Sequence, residues 1–335
     1  MAMNLRNRIS SFTELGTWLP ELVNSTLPQE VFTSNNWFTP SETARALNAW
    51  SALLTVENLS RWTQSYPIPV VPMLKNILVI TAGNIPMVGF HDFLSVLISG
   101  NRFIGRLSSR DNLLICRLAE ELIRMEPEFS DLIRFDDREI APDAVIATGS
   151  NNSARYFQEL YGRIPHIIRQ NRSSGAILDG TETDAEMENL AADILAYYGL
   201  GCRSVSHVWI PAGYPTEKLA RSLAEYNNTD ACESLRNNIK YQKARLAMLG
   251  QPFTEAGNAL LMESNLLQSP IGVVYYSFYD DRQLLLDFLK TRESEIQCLV
   301  GHLSPDSGLT GFGEAQKPEL WQYADNIDTL DFLLK

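Results

Sequence analysis

Cys202 is the side chain in this 335-residue sequence whose surroundings best suit covalent chemistry. It follows Gly199-Leu200-Gly201, between a helical pattern and an apolar run at residues 207–210. The flanking glycines allow a tight turn that exposes the thiol, which nucleophilic catalysis by cysteine requires. A free cysteine is also among the most buried residue types and commonly serves as a small inert side chain. This loop alone leaves both interpretations open.

Further polar segments follow other predicted strands. They contain Asn84, the pair Gly149-Ser150, and a basic stretch with Arg106, Ser108, Ser109 and Arg110. A glycine just after a strand and before a helix is where doubly wound folds bind phosphate groups. Each segment also has a plainer interpretation, because asparagine favours turns, serine caps helices and arginine is commonly a solvated surface charge.

The elements that position these loops alternate between strands and helices from residue 67 onward, which is typical of a doubly wound parallel sheet. We predict strands at residues 76–81, 102–106, 143–148, 175–178, 259–262, 272–276 and 296–300. We predict helices at residues 88–99, 112–125, 184–198, 215–226, 234–248 and 280–290. Residues 1–38 predict a helix and an irregular arm, and Ser41 is the expected N-cap of a helix that continues to Trp62.

Composition excludes several classes of protein. With 28 basic and 40 acidic residues, a net charge of −12 and a pI of about 4.9, the chain lacks the basic surplus of a nucleic-acid-binding protein. The first residues lack the apolar core of a signal peptide, and no apolar run is long enough to span a membrane, so we expect a cytoplasmic protein. The four cysteines are far apart and have no histidine at metal-ligand spacing, so we expect no disulfide framework and no metal site.

Several familiar motifs do not occur after any predicted strand. The sequence has no G-x-G-x-x-G, no P-loop and no G-x-S-x-G nucleophile elbow. A conventional Rossmann dinucleotide site, a P-loop nucleotide site and an α/β-hydrolase are therefore unsupported.

The order of the loops resembles the aldehyde dehydrogenase superfamily, and more closely its fatty-acyl reductase branch, the LuxC-like acyl-CoA reductases. The longest similar stretch, residues 82–101, reads AGNIPMVGFHDFLSVLISGN. The tail, with FGEAQ at 312–316, YAD at 323–325 and DTLDFL at 328–333, is also similar to that branch. The resemblance covers residues 70–335 and implies an α/β, aldehyde-dehydrogenase-like fold of two interlocked lobes with mostly parallel sheets.

The resemblance implies a role for two of the loops in catalysis. Cys202 would be the nucleophile that attacks a thioester carbonyl and forms an acyl-enzyme. Asn84 would donate from its side-chain amide to the oxyanion, with the backbone N–H of Cys202 as the second donor.

The resemblance also implies a nicotinamide cofactor. Gly149 and Ser150 match the family's loop beside the cofactor pyrophosphate. The segment with Arg106, Ser108 and Ser109 stands where the family commonly has Lys-Pro-Ser-Glu, so a carboxylate is absent and arginines flank the site. Arginine binds a 2′-phosphate that a carboxylate would repel, so we expect NADPH rather than NADH.

The reaction direction follows from a second departure from the superfamily. Dehydrogenases that hydrolyse their acyl-enzyme carry a Glu-Leu-Gly-Gly segment before the cysteine, whereas residues 169–174 here read RQNRSS. Without a carboxylate to activate water, hydrolysis loses its base, which favours reduction of a thioester. The same gap would fit a protein that has lost activity.

The sequence therefore predicts an NADPH-dependent acyl-CoA reductase. We expect a cofactor lobe at 1–178, a catalytic lobe at 179–307 and a returning tail at 308–335. The alternatives are an acyl-phosphate reductase of the same fold and a non-catalytic scaffold that binds an acyltransferase or carrier protein. The resemblance implies a homo-oligomer that takes acyl groups from coenzyme A or an acyl carrier protein, with an acyltransferase or synthetase as a further partner.

Overall fold

The computed structural model describes residues 3–70, 73–226, 232–303 and 308–335. The chain divides into two compact units, one formed by Met1–Asn171 with Glu319–Lys335 and the other by Arg172–Pro318. The chain thus leaves the first unit after Asn171, whereas the sequence pattern placed the boundary after residue 178. The boundary expected at residue 307 lies outside the described residues. Among the described residues, every helix is too short or too polar to span a lipid bilayer.

The first unit begins with a group of helices. These are α1 (Leu5–Val23), α2 (Leu27–Ser34), α3 (Pro40–Leu53) and α4 (Val56–Thr63). The N-cap of α3 is Thr39, not Ser41 as predicted, and its hydroxyl accepts a hydrogen bond from the backbone N–H of Glu42. Pro40 explains the difference, because proline suits the first helical position and makes the preceding residue the cap. The single helix predicted to reach Trp62 is two helices, and Thr55 caps the second.

The five-stranded sheet of the first unit is parallel throughout its pairings and has the order β3-β2-β1-β4-β5. Its elements are β1 (Asn76–Ile80), α5 (Phe90–Ser99), β2 (Arg102–Arg106), α6 (Leu113–Met125), β3 (Ile133–Phe135), β4 (Ala144–Thr148), α7 (Asn151–Tyr161) and β5 (His166–Arg169). Three residues in the middle of β1 are buried, as expected for a strand covered on both faces. Almost every residue of α5 is buried as well, because this helix packs against β1, β2, α1 and the C-terminal helix.

The C-terminal segment belongs to the first unit and ends in α12 (Thr329–Leu334). The Tyr323 hydroxyl accepts a 2.6 Å hydrogen bond from the indole N–H of Trp62. The side-chain amide of Asn101 donates to the backbone oxygen of Leu333 at 3.1 Å. The segment is therefore anchored at both ends to helices and loops that precede it by more than 200 residues.

The second unit contains a six-stranded sheet of order β11-β6-β7-β10-β9-β8, in which only β8 runs antiparallel to its neighbour among the described pairings. Its elements are β6 (Ser173–Ile177), α8 (Asp184–Leu195), β7 (Val205–Pro211), α9 (Thr216–Glu225), α10 (Glu233–Met248), β8 (Thr254–Ala256), β9 (Ala259–Glu263), β10 (Val273–Tyr279), α11 (Arg282–Thr291) and β11 (Ile296–Gly301). One apolar core of this unit joins α8 and α9 to the strands and includes Leu190, Val208 and Leu261.

The prediction for α8 was wrong at its C-terminal end. The helix ends at Leu195, and a short 3₁₀ turn, Ala196–Gly199, follows. Within that turn Tyr197 and Tyr198 have φ angles of 51° and 57°, in the left-handed region. A helix cannot continue through left-handed residues, so the apolar periodicity of residues 184–198 overstated the helix length.

Candidate functional site

Cys202 lies in the loop between α8 and β7, and we refer to residues 199–204 as the Cys202 loop. The chain enters it through Tyr197, Tyr198 and Gly199, all with positive φ. For a residue other than glycine, this conformation costs about 1–2 kcal/mol. Both tyrosine rings are buried, and their packing offsets that cost. The turn ends the helix abruptly and leaves Cys202 exposed to solvent.

Exposure separates Cys202 from the other three cysteines. Cys232 is buried, and Cys116 and Cys298 are half-buried. Burial raises the pKa of the thiol at all three of these positions. A raised pKa keeps a thiol protonated and unreactive at neutral pH, because the thiolate is the nucleophile. Cys202 is therefore the cysteine that the fold presents for reaction.

Hydrogen bonds from two directions hold the Cys202 loop. The hydroxyl of Ser174, on β6, donates to the backbone oxygen of Cys202 at 2.9 Å. The side-chain amide of Gln316 donates to the hydroxyl of Ser204 at 3.3 Å. Within the loop, the backbone N–H of Ser204 donates to the oxygen of Gly201 at 3.0 Å. The exposed cysteine is thus carried on a backbone that is tied to the sheet.

Gln316 is itself placed by Asp193, a buried residue of α8. The carboxylate of Asp193 accepts hydrogen bonds from the backbone N–H groups of Gly313, at 2.7 Å, and Ala315, at 3.0 Å. Burial raises the pKa of Asp193 to about 6, and these two N–H donors partly oppose the increase. Gly313 has a φ of 84°, which favours glycine. The segment 312–316 is therefore fixed against the helix that precedes the cysteine.

Asn84 lies in the first unit, in the loop of residues 81–89 between β1 and α5, which we refer to as the Asn84 loop. A side chain at position 83 would place its Cβ 2.4 Å from the hydroxyl oxygen of Ser108, so only glycine fits there. The hydroxyl of Thr81 accepts a 3.1 Å hydrogen bond from the backbone N–H of Ser108. The Asn84 loop therefore packs directly on the segment that follows β2.

The predicted cofactor residues lie at one edge of the five-stranded sheet. Arg106 ends β2, Ser108, Ser109 and Arg110 follow it, and Gly149 and Ser150 follow β4. Because β2 and β4 flank β1 and all three strands are parallel, these segments and the Asn84 loop leave the same edge. This is the switch point of the sheet, the place where open α/β sheets bind ligands.

Each part of this edge has a distinct chemistry. Ser150 is the N-cap of α7, and its hydroxyl accepts from the backbone N–H of Ser153 at 3.2 Å. A Cβ at Gly149 would fall 2.8 Å from the Cβ of Ser153, so glycine keeps this helix start open. One nitrogen of the Arg106 guanidinium donates to the hydroxyl of Tyr161 at 2.9 Å, and Arg110 is exposed. The edge thus combines a helix N-terminus with two cationic side chains, a set suited to anionic groups.

The segment before β6 contains no carboxylate, and its two arginines have different surroundings. Arg169 is buried and pairs with Asp92, with 2.6 Å between Nη1 and Oδ2. The guanidinium of Arg172 lies 3.4 Å from the backbone oxygens of Glu293 and Ile296. Arg169 therefore has a structural charge partner in its own unit, a role that the sequence did not reveal.

Two histidines, His207 and His91, make packing and hydrogen-bond contacts. His207 is buried, stacks on Trp209 and hydrogen-bonds through both ring nitrogens, to the backbone oxygen of Leu266 and the hydroxyl of Ser277. Burial lowers the pKa of His207 to about 4, so it is neutral at physiological pH. His91 Nε2 lies 2.9 Å from the backbone oxygen of Leu320.

A cluster of polar residues not singled out from the sequence lies at the ends of β6 and β11. His302 contacts the carboxylates of Asp179, at 2.7 Å, and Glu186, at 3.0 Å. His302, Asp179 and Glu182 place potential metal-ligating atoms within 4.8 Å of one another. Glu182 already accepts hydrogen bonds from the backbone N–H groups of Asp179 and Gly180. The cluster is satisfied by its own hydrogen bonds.

Sequence reasoning missed Ser174, Asp193 and Gln316, which hold the Cys202 loop and the segment beside it. Their partners lie 28, 120 and 112 residues away in the chain. Single polar residues on a strand, a helix and a tail carry no local pattern that would predict such distant contacts.

Comparison with solved structures identifies the fold. Aldehyde dehydrogenase 21 from Physcomitrella patens, in complex with the reaction product succinate, has a TM-score of 0.69 and 12% identity, covering 100% of this chain and 85% of that one. A NAD-dependent benzaldehyde dehydrogenase from Corynebacterium glutamicum has a TM-score of 0.68 and 12% identity, with coverage of 91% and 78%. The aldehyde dehydrogenase KauB from Pseudomonas aeruginosa has a TM-score of 0.65 and 11% identity, with coverage of 91% and 73%. The chain has the aldehyde dehydrogenase fold, as its sequence predicted.

Comparison of the sequence with models of protein families assigns the chain to a family. A search of curated protein sequences finds no significant match. The model of the acyl-CoA reductase (LuxC) family matches residues 70–246, which is more than half of the chain. That range includes the Asn84 loop, the basic segment after β2, the start of α7 and the Cys202 loop. The chain belongs to the LuxC family of acyl-CoA reductases, oxidoreductases that act on acyl or aldehyde groups.

Proposed function

We propose that this protein reduces an acyl thioester, with fatty acyl-CoA as the expected donor, to the aldehyde, using NADPH and a Cys202 acyl-enzyme. The observation that carries the proposal is the exposure of Cys202 on a constrained loop within the family-matched region, while the other three cysteines have thiol pKa values raised by burial. Cys202 is therefore the thiol available for reaction, whereas the other three thiols stay protonated at neutral pH.

The first chemical step belongs to Cys202. Its thiolate attacks the thioester carbonyl, a new sulfur–carbon bond forms, and the bond between that carbon and the sulfur of coenzyme A breaks. Coenzyme A leaves as the free thiol after taking up a proton. In this proposal the side-chain amide of Asn84 and the backbone N–H of Cys202 donate to the oxyanion. The absence of a carboxylate at residues 169–174 supports reduction over hydrolysis, because no base there could activate water.

The residues at the edge of the first sheet fit a phosphorylated dinucleotide. The open helix start at Gly149 and Ser150 suits a pyrophosphate, and Arg106 and Arg110 suit a 2′-phosphate. One similar structure is that of a NAD-dependent enzyme, which supports a nicotinamide cofactor in this fold. When bound, NADPH would supply the hydride that converts the acyl group to the aldehyde. We propose NADPH over NADH because Ser109 stands where a ribose-binding carboxylate would discriminate against the 2′-phosphate.

We further propose that the protein acts as a homo-oligomer in the cytoplasm and receives its acyl group from coenzyme A or an acyl carrier protein. An acyltransferase or synthetase would be the matching supplier, because the acyl group must be activated as a thioester before Cys202 can take it. Sedimentation velocity would test the oligomeric state, and a monomer at micromolar concentration would contradict it.

The proposal is tested by intact-protein mass spectrometry after incubation with a series of acyl-CoA donors. We expect an acyl adduct on the native protein that disappears when NADPH is added, together with release of the aldehyde. Cys202→Ala should form no adduct, and Cys116→Ala, which removes a half-buried thiol of α6, should behave as the native protein does. Acyl phosphates tested in parallel identify the preferred class of donor.

Three results would contradict the proposal. An adduct of equal yield on Cys202→Ala would exclude that residue as the nucleophile. Faster turnover of acyl phosphates than of acyl-CoAs would assign the other class of donor. The absence of any adduct and of NADPH binding would favour a non-catalytic role.

A further inference from the structure

Ser174, in the second unit, contacts the Cys202 loop in a way that its neighbours in the sequence do not predict. It lies on β6 next to β11, is buried, and is the last residue of the segment 169–174, which has no carboxylate. Its hydroxyl donates to the backbone oxygen of Cys202 at 2.9 Å.

Cys298, on β11, makes two contacts with the same hydroxyl. Its backbone N–H donates to the Ser174 oxygen at 3.2 Å, and its thiol donates to that oxygen, also at 3.2 Å. A serine hydroxyl has one hydrogen to donate and two lone pairs that accept. Because Cys298 occupies both lone pairs, the one hydrogen of Ser174 is directed at Cys202.

The thiol of Cys298 stays in the form that this arrangement needs. Burial raises its pKa, so it remains a donor at neutral pH. The Cys298 thiol is thus a protonated hydrogen-bond donor, whereas the Cys202 thiol is exposed to solvent. The Ser174 hydroxyl on β6 therefore accepts two hydrogen bonds from Cys298 on β11 and donates one to the Cys202 loop.

The need for such an anchor follows from the backbone upstream. Tyr197 and Tyr198 are both left-handed and are followed by Gly199, also with positive φ. A strained turn of this kind persists only where its surroundings hold it. Fixing the carbonyl of Cys202 fixes the peptide plane on its C-terminal side, and with it the direction in which the side chain leaves the backbone.

We infer that Ser174, oriented by Cys298, is the positioning residue that holds the Cys202 thiol in its attacking geometry. The inference rests on the proposed function, in which Cys202 is the nucleophile. Ser174 acts through the Cys202 peptide and is not itself a catalytic residue.

The test compares Ser174→Ala with Ser277→Ala. Ser277 is a buried serine on β10 of the same sheet, hydrogen-bonded to His207, so its replacement matches the first in chemistry and burial. We expect Ser174→Ala to form the acyl adduct about tenfold more slowly, with KM for acyl-CoA and Kd for NADPH unchanged, because an interaction that aligns the reacting atom is lost. Ser277→Ala should form the adduct at the native rate.

A second readout requires no substrate. With its anchor removed, the Cys202 loop should be freer, and iodoacetamide should alkylate Cys202 about threefold faster in Ser174→Ala than in Ser277→Ala. Slower acylation combined with faster alkylation would support a positioning role, because general destabilisation would affect both variants alike. Acylation of Ser174→Ala at the rate of Ser277→Ala would overturn the inference.

The test stays decisive if Ser174→Ala does not fold or if the native protein takes up no acyl group. If Ser174→Ala does not fold, Cys298→Ala removes the thiol donor alone, and an unchanged acylation rate would then overturn the inference. If the native protein takes up no acyl group, the proposed function fails, and the alkylation rates alone decide whether Ser174 holds the loop.

Discussion

Arg169 and Asp92 form an ion pair inside the first unit, with 2.6 Å between Nη1 and Oδ2 and side-chain exposures of only 5% and 9%. Another nitrogen of the same guanidinium donates to the hydroxyl of Thr329 at 2.9 Å. The pair joins the end of β5 to the first turn of α5, the helix that follows the Asn84 loop, and to the start of α12. Arg169 therefore has a structural role in the first unit.

Replacing Asp92 should destabilise the first unit strongly. In Asp92→Ala the buried Arg169 charge loses its carboxylate, and we expect the free energy of unfolding to fall by about 3–5 kcal/mol. Urea denaturation followed by circular dichroism measures the loss. The control is Asp331→Ala, which removes an exposed pair with Lys335 and should leave stability nearly unchanged, because solvent screens such pairs. Equal losses in the two variants would contradict the prediction.

Asn84 should contribute to acyl-enzyme formation. Asn84→Ala removes the proposed oxyanion donor, and we expect the rate of adduct formation to fall about a hundredfold. Quenched-flow mass spectrometry of the acyl adduct measures that rate. Asn84→Asp keeps the size of the side chain but replaces the amide donor with a negative charge, so it should be at least as slow. Rates within about threefold of native for both variants would remove Asn84 from the mechanism.

Ser109 should control the choice of cofactor. In Ser109→Glu a carboxylate is introduced beside Arg106 and Arg110, and we expect the Kd for NADPH to rise about tenfold or more while NADH binds as well as before or better. Fluorescence titration with both cofactors measures the ratio. Ser109→Gln, which adds similar bulk without charge, separates electrostatics from size. If the glutamine variant loses NADPH binding to the same extent, the charge argument fails.

Asp111 should make stability depend on pH. Burial raises the pKa of this carboxyl from 3.8 to about 7. Because the folded-state pKa is raised, the contribution to stability is complete below pH 3.8 and is lost as the pH rises through about 7. The native protein should therefore lose up to about 4 kcal/mol from this group between those pH values.

The measurement is the melting temperature between pH 5 and 8 for the native protein and for Asp111→Asn. The asparagine variant carries no charge to desolvate, so its melting temperature should vary less across this range and exceed the native value at pH 8. Asp287→Asn, which changes an exposed carboxylate of α11, should retain the native dependence. If Asp111→Asn and the native protein respond to pH in parallel, the burial of Asp111 does not penalise its charge.

Local sequence patterns were sufficient for most elements around the site. The strand β2 has the predicted bounds, and β1, β4, α5 and α6 differ from the predictions by one or two residues at one end. These elements are set by apolar periodicity and by the glycines that end them, which are short-range properties. The short strands β3 and β5 were missed, because three or four residues are too few to establish a period.

The sequence by itself determined that loops with Asn84, Arg106, Gly149 and Cys202 follow regular elements, and their order identified the family. Only the tertiary structure decided which strands are neighbours, and so which loops share the edge of the first sheet. It also decided that Ser174 meets Cys298 across 124 residues of chain. The physical reason is that periodicity and turn chemistry act over a few residues, whereas strand order, buried charge pairs and the orientation of a hydroxyl depend on groups that meet only after the chain has folded.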